Sequence, residues 1–161
     1  MASVARTLSR IGNFAAILAL AYMLAHILLE IVLRNIFARS TYVLDEFVGY
    51  AVSALTFLAL GETLRTGKLI RVNLLHDWVG AGARKALEIF AMSSAIAVGA
   101  FAAWFVGKSV VRSYLRGTTS ASVAEVPQWL PEALLLAGLL IFVLQALAGL
   151  IAILGRRGEA A

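Results

Sequence analysis

The stretch Arg34-Asn35-Ile36-Phe37-Ala38-Arg39-Ser40-Thr41-Tyr42-Val43-Leu44-Asp45-Glu46-Phe47-Val48-Gly49-Tyr50 leads into an apolar run. The run leaves through Gly61-Glu62-Thr63-Leu64-Arg65-Thr66-Gly67-Lys68-Leu69-Ile70-Arg71-Val72-Asn73-Leu74-Leu75. Charged residues thus stand at both ends of one apolar segment. A helix needs about 20 mostly apolar residues to cross a bilayer, and residues 44–64 supply them. The segment reads as a membrane helix with two decorated mouths.

Composition extends that reading to the whole chain. Of 161 residues, 61% are apolar and 14% charged, against about 45–50% and about 25% in soluble domains. Three more runs are long enough to span: residues 11–33, 86–106 and 130–154. Arg6 and Arg10 precede the first run, and Ala19-Leu20-Ala21 has the form of a signal-cleavage site. The run nevertheless continues to Leu33, well past the roughly 7–15 residues of a signal peptide's apolar core. It is a retained helix. The expected architecture is an all-α integral membrane protein, a single membrane domain over residues 1–161 with four transmembrane helices.

The net charge of +5 would suggest nucleic acid in a soluble protein, but here the basic residues sit at helix ends. With four spans, Arg6, Arg10, Arg65, Lys68, Arg71, Arg84, Lys85, Arg156 and Arg157 share one side. Arg34, Arg39, Lys108, Arg112 and Arg116 share the other, nine against five. Cytoplasmic flanks carry the excess of Lys and Arg, which puts both termini in the cytoplasm. The halves show no internal repeat of the kind that builds many self-sufficient transporters.

Several polar residues invite a chemical reading. Tyr22, His26, Glu30 and Arg34 recur at i+4 along the first helix, one polar stripe. A proton relay through His26 and Glu30 is one reading. The other is a Glu30–Arg34 pair near the outer end, with Arg34 reaching the interface and His26 bonded to a neighbouring helix. Asp45 and Glu46 open the second helix, where carboxylates suit the positive end of the helix dipole. Gly49, Ser53 and Thr56 then form a small face fit for close helix contact, and Ala95, Gly99, Ala103 and Gly107 form another on the third helix. Past the third apolar run, Lys108, Arg112 and Arg116 continue at i+4 as a basic stripe, which reads either as a solvated edge facing lipid headgroups or as a docking surface.

Between the second and third spans, Val72, Leu74, Leu75, Trp78 and Val79 fall on one face while Asn73, His76 and Asp77 fall on the other. This predicts a short amphipathic helix over about residues 70–79, lying in the interface plane and anchored by Leu74, Leu75 and Trp78. Arg65, Lys68 and Arg71 before it favour anionic headgroups. Of the two histidines only His26 is intramembrane, which argues against a bis-histidine haem between helices. The chain has no cysteine, hence no disulfide or thiol chemistry, and it shows no phosphate loop, nucleophile constellation or metal-ligand spacing. No catalytic residue, metal site or cofactor is expected; the chain does not read as an enzyme.

The opening stretch also resembles a family: the small, four-helix, DctQ-like membrane subunit of tripartite ATP-independent periplasmic (TRAP) transporters. That family shows Arg-Asn at the end of its first helix, a Trp-x-[Asp/Glu]-Glu lead-in to the second, and an Ala-x-Arg-x-Gly-x-His-Ile-x-Val-Asp exit. Arg34-Asn35, Asp45-Glu46, Arg65-Thr66-Gly67, Ile70 and Val72 stand in the matching places. Val126-Pro127-Gln128-Trp129-Leu130-Pro131, with Gly138 seven residues on, is similar to the lead-in to the family's fourth helix. Val43, Leu69, Asn73 and Leu136 depart from the family's Trp, His, Asp and second Pro, so no role is carried over to those four positions. The likeness covers about residues 10–155.

The resemblance implies a three-part importer in the bacterial inner membrane. A periplasmic solute-binding protein would deliver a small organic anion, and a large membrane subunit would move it inward on a sodium gradient. The small subunit would be a scaffold without a substrate or ion site of its own. The rival reading is a stand-alone, small four-helix proton-coupled exporter with a first-helix glutamate. Glu30 fits that rival poorly, since it lies near the helix end and beside Arg34.

Overall fold

A computed structural model of the chain describes residues 2–67 and 81–155. Four helices account for most of them: α1 (Ala2–Phe37), α2 (Leu44–Arg65), α3 (Ala81–Arg116) and α4 (Trp129–Gly155). All four are long and apolar enough to cross a membrane, and no strand occurs among the described residues, only an isolated bridge between Thr119 and Pro127. The architecture is all-helical. The predicted helix over 70–79, with Val72, Leu74, Leu75 and Trp78, lies outside the described residues.

The helix bounds follow from local chemistry. α1 and α3 run beyond the apolar runs at 11–33 and 86–106, because a helix needs no apolar surface once it has left the hydrocarbon. Arg6 and Arg10 therefore ride on the first turns of α1, and Lys108, Arg112 and Arg116 on the last turns of α3. α1 stops where Ala38 takes φ +49° and the Arg39 N–H turns back to the Leu33 carbonyl at 3.1 Å. α2 starts at Val43, which has no side chain able to cap it; Asp45 and Glu46 in the first turn supply the negative charge that its exposed N–H groups favour. Gly67 (φ +68°) and Gly117 (φ +60°) close α2 and α3 in the left-handed conformation that glycine adopts without a Cβ penalty. Pro131 sits in the first turn of α4, where its missing N–H would have had no intrahelical partner.

α2 packs against both α1 and α4, α1 also touches α4, and α3 packs on α4. Three helices thus form a triangle and the fourth leans on one of its corners. Small residues make the triangle tight. Ala5, Ser9, Gly12, Ala16 and Glu30 are the buried positions of α1, separated by three or four residues through Ala16. A Cβ on Gly12 would stand 2.9 Å from the Leu58 carbonyl oxygen of α2. A Cβ on Gly138 would stand 2.5 Å from the Phe57 carbonyl carbon, so α2 and α4 meet backbone to backbone. The apolar centre is Ala16, Ala54 and Leu58, with Ala15, Ala19, Leu55, Ala59 and Ile141 around it. Large apolar side chains, among them Phe14, Leu24, Phe90, Phe101 and Ile151, point outward. In lipid that inversion is expected, since association there rests on close packing rather than on hiding apolar surface from water.

Candidate functional site

The two largest fully buried side chains among the described residues are both polar, Glu30 and Ser9. Each marks one end of the α1 seam. Glu30 is 2% exposed and four donors converge on it. Arg34 Nε donates to Oε1 at 2.9 Å, and the Ser40 hydroxyl donates to the same oxygen. The Thr41 N–H and hydroxyl donate to Oε2 at 3.0 and 2.7 Å. The Ser40 oxygen accepts in turn from the Tyr42 N–H at 3.1 Å and from Arg34 Nη2 at 3.4 Å. One carboxylate therefore holds the whole α1–α2 turn, including Tyr42, whose φ of +60° needs such support in a residue with a side chain.

The i+4 stripe on α1 does not stay on one face. Each step of four residues advances about 40° round the helix, so Tyr22 lies about 80° from Glu30 and is 46% exposed. The Tyr22 hydroxyl and His26 Nδ1 lie 3.0 Å apart. His26 thus bonds within its own helix and not, as the sequence suggests, to a neighbouring one. What reaches His26 across the helix boundary is the Phe47 ring, with centroids 5.9 Å apart, and Phe47 also meets Tyr22 and Tyr50. His26 thus belongs to an aromatic cluster with Tyr22 and Phe47 and takes no part in the Glu30 clamp.

A second carboxylate sits on α2. Glu46 Oε1 accepts from the Tyr50 hydroxyl at 2.5 Å, while its Oε2 is buried without a hydrogen bond of normal geometry. Ser120 and Ser122 of the α3–α4 loop come up beside it. That loop is folded on itself. Ser120 N–H donates to the Val126 carbonyl at 2.9 Å, Gln128 N–H to the Thr118 carbonyl at 3.0 Å, and Val126 N–H to the Ser120 hydroxyl at 3.1 Å. On α4, Glu132 accepts from Ser109 of α3 at 3.0 Å, and Trp129 meets the Tyr114 ring edge-on at 5.7 Å. At the opposite end, Ser9 Oγ donates to Gln145 Oε1 at 3.3 Å across α1 and α4. Arg65 forks onto Glu62, at 2.8 Å through Nε and 2.5 Å through Nη2.

The remaining sequence-predicted residues scatter. Arg34, with its side chain 62% exposed, belongs to the clamp; Asn35, Asp45 and Pro127 are exposed and Gly67 ends α2. Gly138 is buried at the α2–α4 contact. The small face of α3 turns to α4 of the same chain, with Gly99 against Phe142 and Val143 and Gly107 near Leu136. That of α2 stays open: nothing lies within 4 Å of a Cβ on Gly49, and the Ser53 and Thr56 hydroxyls bond back to their own helix. Sequence reasoning missed Ser9, Gly12 and Gln145. The recurring small residues at 5, 9, 12 and 16 were the available signal for the first two.

No group of three or more His, Cys, Asp or Glu among the described residues could hold a metal ion. The arrangement can clamp loops and fix helices; the four donors on Glu30 show polar groups spent on one another, while Glu46 Oε2 and Glu132 Oε2 stay buried without a hydrogen bond of normal geometry among the described residues. Residues 23–156 match the family described as Tripartite ATP-independent periplasmic transporters, DctQ component. No curated protein and no solved structure matches the chain.

Proposed function

The chain belongs to the DctQ family of tripartite ATP-independent periplasmic transporter components, and from that premise we propose that it is the scaffold for a large transport subunit. It is a small, multi-pass inner-membrane component of such a transporter. The system it serves imports a small organic anion, delivered by a periplasmic binding protein and driven by a sodium gradient. Both termini lie in the cytoplasm. The whole chain acts as one membrane domain, with Arg34, Asn35, Asp45, Glu46, Arg65, Gly67, Val72, Pro127, Trp129, Pro131 and Gly138 positioning its helices and turns. Leu74, Leu75 and Trp78 set its depth or hold the partner.

The observation that carries this reading is the state of Glu30. A coupling carboxylate must exchange its partners during transport, whereas all four donors to Glu30 come from one helix and the turn that follows it. Such a group serves a fixed part. The test is Glu30→Gln in the complete transporter reconstituted with its binding protein. The expected result is uptake that keeps its sodium dependence, with a modest loss of complex yield. An intact complex with abolished uptake would overturn the scaffold role. The exporter reading has a separate check, since proton-driven efflux by the purified chain alone in liposomes would replace it. For the anchor, changing Leu74, Leu75 and Trp78 together to Ser should lower co-purification of the large subunit; unchanged yield and uptake would remove that assignment.

A further inference from the structure

The last turns of α3 carry three cations that no ion pair among the described residues neutralises. Lys108, Arg112 and Arg116 are exposed, and among the described residues none of them makes an ion pair. The nearby carboxylate of Glu132 is turned to Ser109 instead. Arg116 has a local reason to be there, at the negative end of the helix dipole. Lys108 and Arg112 lie one and two turns deeper, at the end of the bundle that carries fewer basic residues, where topology gives no reason for them.

Their surroundings point to an occupant. Lys108 folds back along its own helix, its Nζ 3.8 Å from the centroid of the Trp104 ring, one turn deeper. Indole rings settle at the bilayer interface, so the ammonium is held at phosphate depth. Below it Phe101, Trp104 and Phe105 are 66, 57 and 65% exposed, with the Phe101 and Trp104 rings 6.3 Å apart. This face combines the exposed Phe101, Trp104 and Phe105 rings with two cations about 6 Å apart along the axis above them.

We propose that this face binds an anionic phospholipid, its phosphate between Lys108 and Arg112 and an acyl chain along Phe101, Trp104 and Phe105. Two uncompensated cations favour a headgroup with net negative charge over a zwitterionic one. On the orientation given above, the lipid belongs to the periplasmic leaflet. The inference rests on the membrane setting alone and survives a failure of the scaffold role.

The chain has three tryptophans, so Trp78→Phe with Trp129→Phe leaves Trp104 as the sole indole reporter. In phosphatidylcholine bilayers, Trp104 fluorescence would be titrated with brominated phosphatidylglycerol and, separately, with brominated phosphatidylcholine. The expected result is quenching by the anionic lipid as if enriched at least about five-fold at the site, the gain one basic residue near an anionic surface supplies. Lys108→Gln with Arg112→Gln should bring the two lipids level; both positions are exposed, so helicity by circular dichroism should not change. The same titration would be run with a tryptophan-free large subunit bound, once co-purification shows that the reporter variant still holds it. Equal quenching by both lipids before substitution, selectivity unaltered in the double variant, or loss of all quenching when the large subunit binds would each overturn the proposal. The last outcome would show a protein on this face.

Discussion

α2 and α3 are both apolar spans of one chain, yet they are held by different means. α2 has α1 on one side and α4 on the other, and both contacts run through backbone: Gly12 against the Leu58 carbonyl, Gly138 against the Phe57 peptide. Glu30 locks the turn that leads into it. α3 leans on α4, and where its glycines meet that helix they meet side chains, Phe142 and Val143 at Gly99 and Leu136 at Gly107. Backbone cannot move aside, whereas a side chain can take another rotamer. The comparison therefore separates a stiff frame of α1, α2 and α4 from an α3 whose seat can adapt. A scaffold needs the first, and the second lets its edge conform to lipid or to a partner.

The largest effect should come from forcing the frame apart. Gly138→Val places branched carbon where the Phe57 peptide already stands 2.5 Å from an ideal Cβ, and only helix displacement relieves it. The expected cost is at or above the upper end of the roughly 1–3 kcal/mol typical of overpacking, read from unfolding of the purified protein in mixed micelles. A loss below about 1 kcal/mol would mean that α2 and α4 are not seated backbone to backbone.

Next is the clamp. Glu30→Ala strips the acceptor from the Thr41 N–H and from the Ser40 and Thr41 hydroxyls. Each buried donor left unpaired costs about 1–3 kcal/mol, but the turn lies near water, so a total of about 2–3 kcal/mol is expected. The Arg34 contact adds little, because its side chain is largely exposed and such pairs contribute about 0–1 kcal/mol. Hydrogen exchange at Thr41 and Tyr42 should rise well before that of α2 itself. Exchange unchanged in the variant would show that the turn holds without the carboxylate.

How far the sequence reaches can be judged on these same residues. The four helices were legible from apolar run length, and the Glu30–Arg34 pair from i+4 spacing, because both are local. The other donors to Glu30 were not. Ser40 and Thr41 arrive by a reversal at Ala38 and Tyr42, two positive-φ residues that no glycine announced. The small face of α3 was visible, but its partner was not, since lipid makes a small stripe equally suited to any helix. The burial of Gly138 against Phe57 joins positions that only the finished packing brings together. The i+4 spacing placed His26 on the polar stripe but could not show that what α2 offers it is the Phe47 ring and not a polar partner.

The finest test of the comparison lies within α3. Gly99→Ala puts its methyl 2.9 Å from Val143 Cγ2 and 3.2 Å from Phe142 Cδ1, side-chain atoms that can yield. The crowding cost of about 1 kcal/mol should be largely cancelled by the gain of about 0.5–1 kcal/mol from replacing glycine inside a helix. At Gly107 the nearest atom is Leu136 Cδ2 at 3.9 Å, an ordinary contact, so Gly107→Ala should keep that gain and stabilise the protein. Neither change should alter hydrogen exchange in α1 or α2, since the main packing of α3 is on α4. If either slows or speeds exchange there, α3 is part of the frame and the division drawn between the two helices fails.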